Sequence, residues 1–313
     1  DNLKMVVITG IGGIGKTALA SKFVKRHKDK FRGVFARKIV NPGIGVEGIL
    51  QLLNKFLMEN GDQRIHEVIG EADLNMKLER LNYCLEDKYL IVLENFEILL
   101  EGEKIADENV EVFLRAFLSG FHSSKLIITS RYQFTFRDER AEGLMKYVDL
   151  EELSLQEAVQ LLEKLGVRNH GMRRWIYKRI GGNPQFLELF VRLAKTRSAE
   201  RLLKDAAPVR EKIGAWLLRG LIELLTEEEQ TALKKMSAFR SRVDRSISDV
   251  LELSDEVVDK LVYYSLMKVD EYGHYFVDQG VKGYVYALLS DKEKVEAHVH
   301  AARYYEVNFS REK

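Results

Sequence analysis

Gly10-Ile11-Gly12-Gly13-Ile14-Gly15-Lys16-Thr17 sets four glycines in six positions ahead of a lysine and a hydroxyl. Gly10, Gly15, Lys16 and Thr17 satisfy the G-x-x-x-x-G-K-[ST] spacing of a phosphate-binding loop. Binding a polyphosphate tail is the chemistry such a spacing serves. Glycines let the backbone take positive φ and approach closely, so that several N–H groups converge on one anion. A helix starting at the end of the loop adds the positive end of its dipole. The candidate cofactor-binding residues are therefore Gly10, Ile11, Gly12, Gly13, Ile14, Gly15, Lys16, Thr17 and Ala18. Lys16 would carry its charge to the β- and γ-phosphates, and the Thr17 hydroxyl would ligate Mg²⁺.

Two more residues stand where strands should end. Tyr89-Leu90-Ile91-Val92-Leu93-Glu94-Asn95 is an apolar run closed by an acid. Glu94 is placed either to hold a Mg²⁺-bound water opposite Thr17 or to cap the next helical turn. Lys125-Leu126-Ile127-Ile128-Thr129-Ser130-Arg131 repeats the layout with a basic tip. Arg131 is either a γ-phosphate sensor acting through charge-assisted hydrogen bonds or a solvated loop residue.

These residues need a sheet to bring them together. Lys4–Thr9 reads as a buried strand, residues 17–30 as the helix after the loop, and 33–40 as a second strand followed by a turn at 41–45. Helical spacing marks 46–60 and 73–86, and Lys146–Leu150 reads as a fifth strand. Strands alternating with such helices imply a parallel sheet, whose ligands sit outside the strands' carboxyl ends. From 154 the pattern is helical. Ser154-x-x-Glu157 and Thr226-x-x-Glu229 are capping boxes. Asn183 as N-cap with Pro184 behind it starts a helix through Ala194, after a short basic helix at 171–180. Helices at 200–206, 209–225, 226–239, 246–252 and 255–265 precede an alternating segment at 266–278 that turns at 271–274. Three helices and a hairpin are the order of a winged helix. A last helix, 291–309, is expected to pack through Val295, Val299, Ala302 and Tyr305.

Composition bounds the class. The chain has 313 residues, 46% apolar and 31% charged, with a net charge of +1, so no global field draws it to nucleic acid or membrane. One cysteine, Cys84, excludes an internal disulfide and suits a reducing, cytoplasmic setting. No apolar run approaches the ~20 residues of a membrane span. The first strand begins almost at once, so the sequence is expected to be a middle portion of a longer protein.

The order of features resembles the signal-transducing STAND ATPases, the AP-ATPase or NB-ARC-like group. The residues that carry the likeness are Gly10–Thr17, Leu-Ile-Val-Leu-Glu-Asn-Phe-Glu at 90–97, Leu-Ile-Ile-Thr-Ser-Arg at 126–131 and Gly-Gly-Asn-Pro at 181–184. The resemblance implies an α/β P-loop NTPase sheet over 1–150, a helical subdomain over 151–208, a winged-helix domain over 209–290, and the start of a C-terminal helical region over 291–313. It implies ATP or ADP with Mg²⁺ as cofactors, Lys16, Glu94 and Arg131 as the catalytic set, and Thr17 with Glu94 on the metal, Glu94 through water. Pro184 would pack near the base of a nucleotide held between the domains. Self-association on activation and further effector or sensor domains are implied as well.

The sequence departs from the family at two points. Asn95 stands where a second acid is usual and cannot act as a general base, which predicts slow hydrolysis, with Glu97 as the alternative base. Asp278 stands where many members carry a histidine that touches the nucleotide. The function expected is an ATP/ADP-dependent switch, with an ATP-dependent DNA-binding transcriptional regulator as the alternative. The presumed recognition helix, Ser254-Asp255-Glu256-Val257-Val258-Asp259-Lys260, is acidic and argues against nucleic acid. Other features read as ordinary structure. His298 and His300 lie on different helix faces, the basic run Arg168–Arg179 is a solvated face, and Cys84 is a buried filler.

Overall fold

The computed structural model describes residues 3–39, 44–64, 68, 71–136, 143–196, 198–205, 213–270 and 273–311. The chain forms two units, one of residues 1–11 and 15–151, the other of residues 12–14 and 152–313.

In the first unit, β1 (Met5–Thr9), β2 (Val34–Lys38), β3 (Leu90–Glu94), β4 (Lys125–Thr129) and β5 (Met145–Asp149) form one sheet in the order β2-β3-β4-β1-β5. Each neighbouring pair is parallel, with Met5 opposite Leu126 and Val92 opposite Ile127. Parallel strands covered on both faces read as continuous apolar runs, which is why Leu90, Ile91, Val92 and Leu93 are all buried. All five strands point the same way, so every carboxyl end lies at one edge. β4 stands between β1 and β3, so the segment after Thr129 emerges between the glycine loop and Glu94. Topology alone assembles these three stretches.

The helices covering the sheet are α1 (Lys16–His27), α2 (Gly45–Glu59), α3 (Leu74–Cys84) and α4 (Glu108–Ser119). α1 ends earlier than the sequence suggests: Lys28–Lys30 is a 3₁₀ turn. The expected turn at 41–45 lies outside the described residues up to Gly43, and Gly45 already belongs to α2. Asp73 and Asp107 cap α3 and α4 by accepting from Met76 and Asn109 N–H. Phe96, Phe113, Phe117 and Phe134 fill the core between α4 and the sheet, and Cys84 is buried among apolar neighbours as expected.

The second unit is built from α5 (Leu155–Lys164), α6 (His170–Ile180), α7 (Pro184–Ala194), α8 (Ala199–Asp205), α9 (Ile213–Ile222), α10 (Glu227–Met236), α11 (Ile247–Leu251), α12 (Asp255–Tyr263), α13 (Gln279–Ala287) and α14 (Asp291–Arg311). A hairpin pairs Lys268–Val269 with Tyr275–Phe276, and its turn at 271–272 lies outside the described residues. Residues 206–212, where two helices were expected to meet, lie outside them as well. Both capping boxes form reciprocally, at Ser154 with Glu157 and at Thr226 with Glu229. α10, α11 and α12 followed by the hairpin make the winged-helix order. One continuous apolar core runs from Ala158 to Tyr304.

Three expectations need correction here. α13 was not expected: Gly280 and Gly283 dilute its pattern, but Asp278 caps it by accepting from Gly280 N–H, and Val281 and Val285 are buried. α14 packs through Ala297, Ala301 and Tyr304, while Val295 and Val299 are 64% and 43% exposed. Small alanines let α14 approach α10, and the Tyr304 hydroxyl, which accepts from Asp244 N–H at 2.9 Å, fixes its rotation. Of the expected stripe, Tyr305 alone is anchored, accepting from Arg240 and Ser241 N–H. Within the basic run, Arg173 is not solvated: it is buried 2.9 Å from the Glu163 carboxylate and ties α6 to α5.

Candidate functional site

β1 delivers the chain to its carboxyl edge at Thr9, and the loop that follows turns through positive φ at Gly10 (139°), Gly13 (76°) and Gly15 (109°). L side chains are strained in that region, so these three positions need glycine for conformation alone. Ile14 is buried, while Ile11 is exposed. Gly15 is the N-cap of α1 and carries no side chain to satisfy the first helical N–H groups. Those donors stay available to an anion, at the positive end of the helix dipole.

Lys16 is the first residue of α1. Its Nζ donates to Gly10 O at 2.6 Å and Ile11 O at 3.0 Å, so the ammonium lies folded against the loop. Thr17, one position on, faces β3: its Oγ1 lies 3.4 Å from Glu94 Oε2. The structure therefore brings Thr17 and Glu94 together as a hydroxyl and a carboxylate. That donor set fits Mg²⁺, which takes one or two protein oxygens and completes its shell with phosphate and water. Among the described residues no group of three or more His, Cys, Asp or Glu forms an all-protein metal cage, and His298 instead bonds the Tyr286 hydroxyl at 2.9 Å.

Past Glu94 the chain bends sharply. Asn95 sits in the left-handed region (φ 61°, ψ 40°), a conformation asparagine tolerates better than most residues, and its N–H donates to Thr129 Oγ1 at 3.3 Å. Asn95, not Glu94, occupies the N-cap position of the 3₁₀ turn Phe96–Leu99, and no side chain caps that turn. The capping alternative for Glu94 is thereby removed. The bend swings Glu97 toward β4. Arg131 N–H donates to Glu97 Oε2 at 3.2 Å, and Arg131 Nε lies 3.2 Å from Glu97 Oε1. Arg131 is thus an ion-paired residue of the sheet edge.

Sequence reasoning missed a second polar cluster at the same edge. The buried Thr9 hydroxyl bonds the Asp149 carboxylate, and Gln133 Nε2 donates to the other carboxylate oxygen at 2.8 Å. A threonine and an aspartate each closing a strand were the available signal. The cluster ties the end of β1 to β5 immediately before the loop.

In the second unit, Asn183 caps α7 by accepting from Gln185 and Phe186 N–H, and Pro184 takes the first helical position. Asn183 is fully buried, and its Nδ2 donates to Gly12 O at 3.0 Å. A Cβ on Gly182 would lie 2.2 Å from Leu153 O, so that position must be glycine. The Asp278 carboxylate accepts from Gln185 Nε2 at 2.8 Å and joins α13 to α7.

No protein-family model matches the chain. Over 215 residues it is 27% identical to an uncharacterized WD repeat-containing protein of Nostoc sp., a match covering 60% of this chain and 16% of that protein. Among solved structures, a Signal Transduction ATPase with Numerous Domains (STAND) protein with a tetratricopeptide repeat sensor, from Pyrococcus horikoshii, superimposes with a TM-score of 0.70 at 21% identity. That likeness covers 96% of this chain and 43% of that one. A Walker-type ATPase of Pyrococcus abyssi aligns at a TM-score of 0.48 and 14% identity, over 91% of each chain. The chain thus spans less than half the length of the first two. The fold is that of a STAND-type P-loop ATPase: a parallel P-loop sheet followed by helical and winged-helix parts.

Proposed function

We propose that this chain is the ATP/ADP-dependent switch of a signal-transduction protein. Its observation of greatest weight is the meeting, at one sheet edge, of the glycine loop with Lys16 and of Thr17 with Glu94 across 3.4 Å. In this reading the loop N–H groups and Lys16 bind the phosphates, and Thr17 and Glu94 hold Mg²⁺, Glu94 through water. The ion neutralises charge on the β- and γ-phosphates when bound. Arg131 orients the γ-phosphate. Pro184 packs near the base.

The chain's own residues favour slow turnover. The Asn95 amide cannot take a proton from water, and Glu97 must first be released from its pair with Arg131. Slow hydrolysis leaves long-lived ATP and ADP states, as a switch requires. Exchange between them would control opening and self-association, with further domains of a longer protein supplying the signal and the output. The DNA-binding alternative finds no support in α12, whose exposed face carries Asp255, Glu256 and Asp259 and would repel phosphates.

Mass spectrometry of small molecules released by denaturing the purified chain tests the reading. ADP or ATP near one equivalent per chain is expected. Absence of both, together with no binding when Mg²⁺ and either nucleotide are added, would remove it.

A further inference from the structure

The engagement of Glu97 has a specific geometry. Both carboxylate oxygens are taken by one residue, Oε2 by the Arg131 N–H and Oε1 by its guanidinium, each at 3.2 Å. The Glu97 side chain is 14% exposed, against 38% for Arg131. The pair is not a loose surface contact. Phe96 and Leu99, on either side of Glu97, are both buried in the sheet's core, so the 3₁₀ turn that carries the carboxylate is anchored.

The neighbouring groups have other duties. Glu94 faces Thr17, and Asn95 is an amide fixed in the left-handed region by the bend itself. Glu97 is therefore the carboxylate of this turn able to accept a proton. Its partner comes from β4, the strand between the loop strand and the acid strand, so Arg131 emerges between phosphate loop and Glu97. A terminal phosphate carrying close to two negative charges competes for a guanidinium better than one carboxylate does.

We infer that Glu97 is the general base for ATP hydrolysis and that Arg131 masks it until a γ-phosphate draws the guanidinium away. The inference rests on the ATP-hydrolysing reading above. In the step, a water oxygen bonds the γ-phosphorus, the bond from that phosphorus to the β,γ-bridging oxygen breaks, and ADP leaves with the electron pair. The water proton passes to the freed Glu97 carboxylate and then to solvent. ADP, lacking a γ-phosphate, leaves Arg131 on Glu97. The base is available only in the state that needs it.

The test is Glu97→Gln, which keeps the size of the side chain and one acceptor oxygen while removing charge and basicity. Single-turnover hydrolysis should fall about a hundredfold or more, the usual share of a general base. Because Arg131 is then no longer held by a carboxylate, ATP should tighten several-fold relative to ADP. The same substitution in an Arg131→Ala background should leave the ATP-to-ADP affinity ratio unchanged, since the two residues act on it as one pair. ADP affinity serves as the internal check that each variant is folded. Hydrolysis at the wild-type rate in Glu97→Gln would overturn the assignment of the base. Lost hydrolysis with an unshifted ratio, or a shift equally large without Arg131, would overturn the masking. If the wild-type chain binds neither nucleotide, the ATPase reading fails instead.

Discussion

Lys16→Ala should abolish measurable Mg·ATP binding in a chain that still folds. The ammonium is the point charge of a cradle otherwise made of backbone, and it lies within reach of two loop carbonyls, at 2.6 and 3.0 Å, poised over the glycine turn. A charge-assisted hydrogen bond contributes about 1.5–3 kcal/mol, and Lys16 would make such contacts with two phosphates. Losing them lowers affinity by about a hundredfold or more, since each 1.4 kcal/mol is tenfold. The fold does not depend on it, because β1 is held by its ladders to β4 and β5 and α1 by its own backbone. Calorimetric titration with Mg·ATP, beside circular dichroism of the same sample, checks both halves. Unchanged affinity in a folded variant would show that the loop does not bind phosphate.

Phe96→Ala should be the most damaging single truncation near the site. Phe96 is fully buried, packs 4.9 Å from the Phe134 ring centroid, and roots the turn that carries Glu97. Deleting a buried phenylalanine costs about 3–5 kcal/mol through lost transfer energy and the cavity left behind. In a domain of this size each kilocalorie lowers the melting temperature by roughly 2–4 °C, so a fall of about 10 °C is expected. Hydrolysis should suffer beyond the loss of stability, because the turn that positions Glu97 is no longer anchored. Thermal unfolding and phosphate release, the latter measured well below the new melting point, separate the two effects. A melting temperature within a degree or two of wild type would mean the cluster around Phe96 relaxes to fill the space.

Much of this site was legible in the sequence because its elements obey local rules. The loop announces itself by glycines at positive φ, where other side chains are strained, and β3 and β4 by apolar runs that buried parallel strands require. Asn183-Pro184 and the two capping boxes are helix starts whose partners lie within three residues. What escaped depends on partners distant in sequence. The Glu97–Arg131 pair needs the left-handed bend at Asn95 and the insertion of β4 between β1 and β3, and neither is a local property. The rotation of α14 was misjudged for a related reason. Its face is selected by small alanines and by a tyrosine hydroxyl reaching Asp244, so valine, the more apolar residue, points outward. The buried Arg173 likewise depends on Glu163 from another helix, so its position in a basic run says nothing of its burial.

The proposal that nucleotide is read as a switch is tested most directly by hydrogen exchange. Exchange would be followed in α1 and in α7 for the nucleotide-free chain, with ADP, and with Mg²⁺ and a non-hydrolysable ATP analogue. A ligand shifts a conformational equilibrium only through its differential affinity for the two states, so a switch must show a pattern that differs between the two nucleotides. The account predicts that ADP slows exchange in both helices, and that the triphosphate analogue protects α1 at least as well while protecting α7 less. Protection confined to α1 and identical for both nucleotides would contradict it, leaving a phosphate-binding loop that reports to nothing beyond its own sheet.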